Sequence, residues 1–360
     1  MMEISFFLES LIKILFLVLV VLLPLVSFLG VMLERKLSAW IQNRHGPNRI
    51  GPFGLLQVIA DIPKLFFKEN IVPAAANRFV HSLGPLISLT IGFSLFAVIP
   101  FGDVLPITID GVVHNIRLQI ADVNIGILYI LALSSLAVYG ITLSGWASNN
   151  KYSLLGGIRS SAQMISYELS LGLSIVAVVM INNTLQLDDI VKAQSGYYLF
   201  GFLPNWNIFI QPLGFIIFFI ALFAETNRLP FDLPEAEPEL VAGYHTEYTG
   251  MKFGMFMLSE YLAMFSAASL ITTFYLGGYQ IPYIETLNFS PLTVSLLQVG
   301  SFFIKFSSIV LFFIVVRWSM PRFRYDQLMN LGWKVMLPLS LLNIAVTGFF
   351  ILKPLHTWFN

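Results

Sequence analysis

The stretch LIKILFLVLVVLLPLVSFLGVML, residues 11–33, decides the fold class. It contains one charged residue, Lys13, and it exceeds the roughly 20 apolar residues that cross a bilayer as a helix. The whole chain is 57% hydrophobic and 11% charged, whereas soluble domains carry about 25% charged residues. We therefore expect lipid to surround the protein. Glu3 and Glu9 precede the run and no small-residue cleavage site follows it, which predicts a retained first span rather than a signal peptide.

Seven further apolar runs follow, and together they predict an all-α polytopic membrane protein with eight transmembrane helices. The expected spans are 11–33, 80–101, 123–145, 162–181, 208–226, 253–276, 295–316 and 335–353. Residues 1–360 then form a single transmembrane domain with both termini on one side of the bilayer. The sequence shows no internal repeat of the inverted kind common in secondary transporters.

Basic residues are distributed unevenly between the two sides that this layout defines. The predicted inside loops, about 34–79, 146–161, 227–252 and 317–334, carry Arg35, Lys36, Arg44, Arg49, Lys64, Lys68, Arg78, Lys151, Arg159, Arg228, Lys252, Arg317, Arg322, Arg324 and Lys334. The opposite side carries only Lys13, Arg117, Lys192 and Lys353. Because short cytoplasmic loops are enriched in lysine and arginine, this asymmetry predicts that the termini lie outside.

The first inside loop contains an amphipathic segment, 53–69. Its apolar residues repeat at helical spacing and so do its polar residues, on the opposite face. The apolar set is Leu55, Ile59, Ile62 and Phe66, and the polar set is Gln57, Asp61, Lys64 and Lys68. The segment is too polar to span the bilayer, so we expect a helix that lies in the membrane interface and is kinked at Pro63.

Three charged residues fall deep inside predicted spans. Glu168 and Glu260, the latter next to Tyr261, lie well inside spans four and six, and Lys305 lies near the middle of span seven. A charge at such depth is costly unless it is paired, hydrated or neutralised, which makes each residue a functional candidate. The alternative for Glu168 is a neutral acid bonded to a neighbouring helix. For Lys305, we expect pairing with a buried glutamate rather than extension of the side chain towards an interface.

The segment from Glu225 to Tyr248 is rich in acids and has a single arginine, Arg228. Its other acids are Asp232, Glu235, Glu237, Glu239 and Glu247. Carboxylates clustered in a poorly solvated place raise one another's pKa and share protons, which suits proton transfer near neutral pH. A solvated acidic loop is the alternative reading. The many apolar residues between the acids favour a segment that folds back onto protein.

Other features narrow the classes of function. The zero net charge argues against nucleic acid as a partner, the lack of cysteine excludes iron–sulfur clusters on this chain, and the five histidines show no metal-ligand spacing. Near the inside end of span one, basic and aromatic side chains are available to an organic ligand: Arg35, Arg44, Arg49, Trp40 and Phe53. Ordinary topology anchoring is the alternative for each arginine.

Four motifs carry a family resemblance. They are AETNRLPFDLPEAE at 224–237 continued by ELVAGYHTEY at 239–248, ERK at 34–36 with QNRHGPN at 42–48, QMISYE at 163–168, and PRFRYDQLM at 321–329. Taken in their order along the chain, these motifs resemble those of the H subunit of respiratory complex I, which is called subunit 1 in mitochondria. Pro238 departs from the family pattern, but it removes no carboxylate.

The resemblance implies a position where the hydrophilic arm of NADH:quinone oxidoreductase meets its membrane arm. It implies a quinone chamber and entrance formed with Arg35, Arg44, Asp61, Trp40 and Phe53. An acidic relay would use Asp232, Glu235, Glu237, Glu239, Glu247 and Arg228. A buried proton path would use Glu168, Glu225, Glu260, Lys305 and Tyr261.

The resemblance also implies cofactors and partners. Quinone is the expected substrate, and this chain would bind no cofactor or metal, because FMN and the iron–sulfur clusters belong to partner subunits. Those partners are the hydrophilic-arm subunits B, D and I and the membrane subunits A, J and K. Residues 154–157, LLGG, look more bacterial than mitochondrial, so we expect a bacterial inner membrane, with the mitochondrial inner membrane as the alternative.

Three other functions remain open at this point. The equivalent subunit of a membrane-bound hydrogenase or a related ferredoxin-linked complex would share these motifs, although it should match the acidic loop less well. A free-standing ion transporter should show repeats or broken helices. A purely structural anchor would leave Glu168, Glu260 and Lys305 without an explanation.

Overall fold

The computed structural model describes residues 11–109, 112–198, 203–233, 240–284 and 289–352. Its long apolar helices, numbered with the shorter ones in chain order, are α1 (Leu11–Ile41), α3 (Arg78–Val98), α4 (Gly126–Ala147), α5 (Lys151–Asn182), α9 (Gly250–Tyr275), α10 (Pro291–Ser319) and α11 (Tyr325–Leu352). The shorter helices are α2 (Gln57–Phe67), α6 (Leu187–Ala193), α7 (Asn207–Ile210) and α8 (Pro212–Glu225). Within the described residues, seven helices are thus long and apolar enough to cross a membrane, which agrees with the predicted polytopic class.

Several helix boundaries differ from the predicted span ends. Helix α1 continues to Ile41, α5 begins at Lys151 and α11 begins at Tyr325. Residues 148–150 alone connect α4 to α5, so most of the expected loop 146–161 is helical. The predicted spans end at the first charged or polar residues beside each apolar run. A helix forms its backbone hydrogen bonds internally, so it can continue beyond the apolar segment.

Two short antiparallel hairpins accompany the helices and were not predicted. Strands β1 (Val104–Ile109) and β2 (Val112–Arg117) pair with each other, as do β3 (Tyr197–Tyr198) and β4 (Leu203–Pro204). The first hairpin follows from its sequence, because β-branched residues are frequent on both sides of Asp110-Gly111, a pair typical of hairpin turns. We name this end of the helices, with residues 276–284, the hairpin end.

Small residues bring helices α3 and α4 into close contact. A Cβ atom added to Gly84 would lie 2.0 Å from Ser144 Oγ, and one added to Gly140 would lie 2.2 Å from Ser88 Oγ. The two backbones therefore approach too closely for any larger side chain. This is the usual way in which helices pack in lipid, where neighbouring helices gain little from the hydrophobic effect.

Helix α9 lies at the centre of the bundle. In its most apolar stretch 56% of the residues are buried inside the protein, against 22% for α1 and for α11. Its buried residues run from Leu262 to Tyr275 with few gaps. Charged groups lie against this central helix in its first half and just beyond its C-terminus.

The predicted basic connections gather at the other end of the bundle, which we name the basic end (the described residues of 42–77, 148–150, 226–249 and 320–324). Ile71 N donates to Thr249 Oγ1 at 3.0 Å, which joins the first and third of these segments. Ser153 Oγ donates to the Tyr244 carbonyl at 3.0 Å, which ties the start of α5 to the third segment. The basic end is therefore one continuous structure rather than a set of separate loops.

Candidate functional site

Four charged side chains meet beside the first half of α9 and form what we name the ionic junction (Glu34, Arg228, Glu260 and Arg317). Arg228 NH1 lies 3.3 Å from Glu34 Oε2, and Arg228 Nε lies 2.8 Å from Glu260 Oε1. Arg317 NH1 lies 2.5 Å from Glu34 Oε1 and 3.9 Å from Glu260 Oε1. Two positive and two negative charges thus balance one another across α1, α9, α10 and the 226–249 connection.

Burial makes this pairing necessary. Arg228 is 2% exposed and Glu34 is 5% exposed, and a charge so buried is tolerated only with partners of opposite sign. The Tyr261 ring lies 4.5 Å from the Arg228 guanidinium carbon, and Arg228 NH1 donates to Met264 Sδ at 3.0 Å. Burial alone lowers the pKa of Arg228, but the Glu260 and Glu34 carboxylates outweigh it and raise that pKa above its ordinary value.

Asp232 extends the junction towards the last helix. Arg322 NH2 donates to Asp232 Oδ2 at 2.8 Å, and Phe323 N donates to the Pro230 carbonyl at 3.1 Å. Burial raises the pKa of Asp232 to about 6, although the neighbouring Arg322 works in the opposite direction. The pKa of this carboxyl therefore lies closer to neutral pH than that of an ordinary aspartate.

A cavity of about 100 Å³ lies among α3, α4, α5, α8 and α9, and we name it the central cavity. Glu225 and Glu260 both line it, together with the hydroxyl-bearing residues Ser88, Ser134, Ser259, Ser266, Thr226 and Tyr244. A space of this size has room for several water molecules. The lining is mostly apolar, and Glu225 and Glu260 are the two carboxyl-bearing residues among those that line it.

Glu168 lies close to this cavity but is not among the residues that line it. Ser135 Oγ on α4 donates to Glu168 Oε1, so this acid bonds a neighbouring helix. Its carboxyl group also interacts electrostatically with Glu225. The structure thus gathers Glu168, Glu225 and Glu260 in one region, as the buried-path prediction requires, and it adds the serine contact that the alternative reading had proposed.

The remaining acids of the 225–248 segment divide into two groups. Glu235, Glu237 and Glu239 lie outside the described residues. Glu247 accepts a hydrogen bond from Asn150 Nδ2 at 2.7 Å and so lies against the start of α5, apart from the ionic junction. Beside it, burial lowers the pKa of His245 to about 4, so the neutral form of this imidazole dominates at neutral pH.

The residues assigned to the entrance lie around α2 on the surface. Arg35 NH1 donates to Asp61 Oδ2 at 2.6 Å, and Gln57 Nε2 donates to Asp61 Oδ1 at 2.9 Å. Burial raises the pKa of Asp61, but the bonds from Arg35 and Gln57 outweigh it and lower that pKa below its usual value. Trp40 is 67% exposed and Phe53 is 81% exposed. Arg44 is exposed and donates from Nε to Gln42 Oε1 at 2.7 Å.

The expected partner of Lys305 was wrong. Its Nζ donates to three backbone carbonyls, of Leu276 (2.8 Å), Gly278 (2.9 Å) and Gln280 (2.7 Å), and to no glutamate among the residues that the structure describes. The physical reason is that the carbonyls following the C-terminus of α9 have no partner within the helix and can satisfy an ammonium group. Lys305 therefore belongs to the hairpin end, away from the ionic junction.

Sequence reasoning missed three members of the site: Glu34, Arg317 and Arg322. The first span was ended at residue 33, which placed Glu34 in a loop, and both arginines were counted only as topology signals. The spacing of Glu34 and Ser38 is a usable signal, because residues four apart lie on the same face of a helix. Both of these side chains are buried in the structure. Within the described residues, no group of three histidine, aspartate or glutamate side chains could hold a metal ion.

The fold and the site together define a multi-pass helical membrane protein with a charged junction beside an internal cavity that two glutamates line. A family model described as NADH dehydrogenase matches residues 12–348. The chain is 52% identical over 319 residues to the NADH-quinone oxidoreductase H subunit 1 of Cytophaga hutchinsonii, covering 89% of this chain and 90% of the relative. It is 51% identical over 332 residues to the NADH-quinone oxidoreductase H subunit 2 of Geobacter sulfurreducens, covering 92% and 93%.

A relative with a different subunit name matches equally well. The chain is 52% identical over 320 residues to NADH-quinone oxidoreductase subunit 8 of Rhodothermus marinus, covering 87% of this chain and 89% of the relative. The chain belongs to the NADH dehydrogenase family, and the resemblance to the H subunit that its motifs indicated is confirmed.

Proposed function

We propose that this chain is the membrane-embedded H subunit of a proton-pumping NADH:quinone oxidoreductase. In this role it helps to form the quinone chamber where the two arms meet, and it couples quinone reduction to proton translocation through a chain of carboxylates. Family membership and the names of the relatives support the assignment to such a complex. The chain acts as a non-autonomous part of the enzyme, a translocase, since NADH and the redox centres belong to other subunits.

The coupling proposal rests on one observation, which is that Glu260 belongs both to the ionic junction and to the lining of the central cavity. This carboxylate contacts Arg228 in the ionic junction, and it also lines the central cavity with Glu225. A change of charge at the basic end can therefore reach the interior of the helix bundle through one side chain. Coupling of this kind requires an element with two states that both sites bias, and the Arg228–Glu260 contact is our candidate for that element.

The proposed sequence of events follows the protons. Reduction of a quinone to quinol consumes two electrons and two protons, and Asp232 and its neighbours supply or replace those protons. Loss of a proton from Asp232 adds a negative charge close to Arg322 and the ionic junction. Arg228 then contacts Glu260 less strongly, which favours uptake of a proton by the Glu260 carboxyl. Glu225 and Glu168 change their protonation in turn.

The surface around α2 is the proposed entrance for quinone. Exposed apolar side chains, Phe66 (63%) and Phe67 (91%) among them, suit a helix that lies in the membrane interface. Arg35, Asp61 and Arg44 would meet the polar head group, and Trp40 and Phe53 would contact its tail. These contacts rest on the exposure of the residues and on the family resemblance.

We further propose that α7 and α8 together complete the eighth span. Helix α8 alone has 14 residues, about 21 Å of helix, which is shorter than the roughly 30 Å of a bilayer core. Residues 207–225 reach about 28 Å at 1.5 Å per residue. With eight spans the whole chain is one transmembrane domain, and the basic end faces the cytoplasm.

The partners follow from the same assignment. Subunits B, D and I of the hydrophilic arm would cover the basic end, and subunits A, J and K would contact the helix bundle. FMN and iron–sulfur clusters would reside in those partners, and the complex would lie in a bacterial inner membrane, as the bacterial relatives suggest.

The test compares three variants with a control. In the purified complex, E260Q, E225Q and E168Q should each lower quinone reductase activity by about tenfold or more, because each removes a proton carrier at nearly constant volume. NADH oxidation with an artificial acceptor should stay unchanged, since that reaction does not need this chain. D189N, at an exposed acid on α6, is the control and should behave as the wild type. Unchanged quinone reduction in all three variants would refute the coupling role.

A further inference from the structure

Lys305 at the hairpin end is held by a group of backbone atoms that resembles a cation-binding site. Its amine bonds the carbonyl oxygens of residues 276, 278 and 280 at 2.7 to 2.9 Å. It also lies 4.4 Å from the centre of the Trp206 ring, a distance at which the face of an indole attracts a cation. We name these three carbonyls and the ring the carbonyl cage.

The carbonyl cage is built on a turn of two glycines. Gly277 and Gly278 adopt positive φ angles of 72° and 52°, a conformation that glycine adopts at no steric cost and that turns the neighbouring carbonyls to one side. Gly278 N donates to the Thr272 carbonyl at 2.8 Å, and Gly277 N donates to Gln194 Oε1 at 3.0 Å. These bonds shape the turn, and the three bonds from Lys305 hold its carbonyls.

Further contacts hold the turn from outside. Tyr279 OH donates to Asp188 Oδ1 at 2.8 Å, and a Cβ atom on Gly277 would lie 2.4 Å from Trp206 Nε1, so the turn and the indole are in direct contact. The cage also follows the C-terminus of α9, where the helix dipole adds negative potential. All of these features favour a positive charge at the position of the amine.

The geometry also indicates which kind of cation fits. An ammonium group has three N–H donors, and the cage offers three acceptors at hydrogen-bonding distance. No carboxylate forms a salt bridge with Lys305 in the part of the chain that the structure describes. We infer that the carbonyl cage is a binding site for a monovalent, hydrogen-bond-donating cation of the ammonium class, which this chain fills with its own Lys305 amine.

The test removes the lysine and supplies the cation from solution. In the full-length chain, purified with the subunits that accompany it, K305A leaves the three carbonyls without a partner, which destabilises the turn. Amide hydrogen exchange at Gly277, Gly278 and Gln280 should become about tenfold faster or more. Methylammonium should restore slow exchange in a saturable manner. Tetramethylammonium, which has the same charge but no N–H donor, should not restore it.

Matched variants separate the loss of the ammonium group from the loss of side-chain volume. K305M should also show fast exchange, but its methyl group occupies the place of Lys305 Cε, so methylammonium should have no effect. K305R retains charge and donors and should exchange nearly as slowly as the wild type. If K305A does not accumulate, K305M and K305R provide the test instead. Equal rates of amide hydrogen exchange in these two variants would refute the proposal.

The remaining outcomes are also decisive. Unchanged exchange in K305A would mean that the cage needs no cation, and recovery with both salts or with neither would mean that it does not select an ammonium group. A loss of proton pumping in K305A with unchanged exchange would instead support Lys305 as a proton carrier and overturn the inference. The exchange measurement does not use quinone reduction, so it remains valid even if the function proposed above fails.

Discussion

Charge is held in different ways along the first half of α9 and beyond its C-terminus. On the first half, Glu260 contacts Arg228 at 2.8 Å and both are side chains, so the contact can change when either side chain moves. At the hairpin end, Lys305 bonds backbone carbonyls, which take no part in proton transfer. One central helix thus carries an adjustable contact on its first half and a fixed contact beyond its C-terminus, an arrangement that suits a helix required to respond in its first half only.

The largest expected effect comes from removing the arginine at the centre of the ionic junction. R228M leaves Glu34 and Glu260 with Arg317 alone, and a buried ion pair that loses one partner costs about 3–5 kcal/mol. We expect little assembled protein in the membrane and a much shorter thermal half-life after solubilisation. Western blotting of membranes and inactivation kinetics measure these two quantities.

Two comparisons control this prediction. R324M removes an exposed arginine whose partner Asp326 is 60% exposed, and such pairs contribute about 0–1 kcal/mol, so this variant should resemble the wild type. In E34Q/R228M one unpaired charge is removed along with the arginine, and part of the loss should be recovered. If R228M and R324M were equally stable, the junction would not be a structural element.

The comparison of these two regions also explains what could be predicted from the sequence. Glu260 was found because a charge in an apolar run requires an explanation, and this reasoning needs only the position along the chain. The same reasoning found Lys305 but assigned it the wrong partner, because it considered side chains and ignored carbonyls at a helix end. Backbone acceptors have no sequence signature beyond Gly277-Gly278, so this error could not be corrected without coordinates.

The residues that the prediction missed have a similar cause. Glu34 was placed in a loop because the span was ended at the first charge, although a helix can continue past it. Arg317 and Arg322 were counted as topology signals, and their partners lie about 280 and 90 residues away along the chain. Pairings over such separations follow from helix packing, which one sequence does not reveal.

A smaller effect is expected for the pH dependence of Asp232. Since burial raises its pKa to about 6 from an ordinary 3.8, the folded protein binds this proton more strongly than the unfolded chain. Its contribution to stability is complete below about pH 4 and is lost as the pH rises through about 6. The melting temperature of D232N relative to the wild type should therefore increase between about pH 4.5 and about pH 7.

The exposed acid Asp326 provides the control for this measurement. D326N removes a carboxyl whose side chain is 60% exposed, and this variant should show the same difference from the wild type at both pH values. A difference for D232N that falls with rising pH would mean that Arg322 dominates over burial and that Asp232 stays ionised throughout. The proton exchange proposed for the basic end would then need another group.

The smallest effect is expected at Arg35 and Asp61, which form an ion pair at the surface of the basic end rather than inside it. The side chains are 44% and 27% exposed, and pairs of this kind contribute about 0–1 kcal/mol. A double-mutant cycle of R35Q and D61N should give a coupling energy within this range, and salt should reduce it further. The same variants should raise the KM for quinone if these residues line the entrance. If this coupling energy were as large as the loss expected at Arg228, the exposed pair would contribute as much to the fold as the buried junction. Burial would then not explain the difference between the two regions.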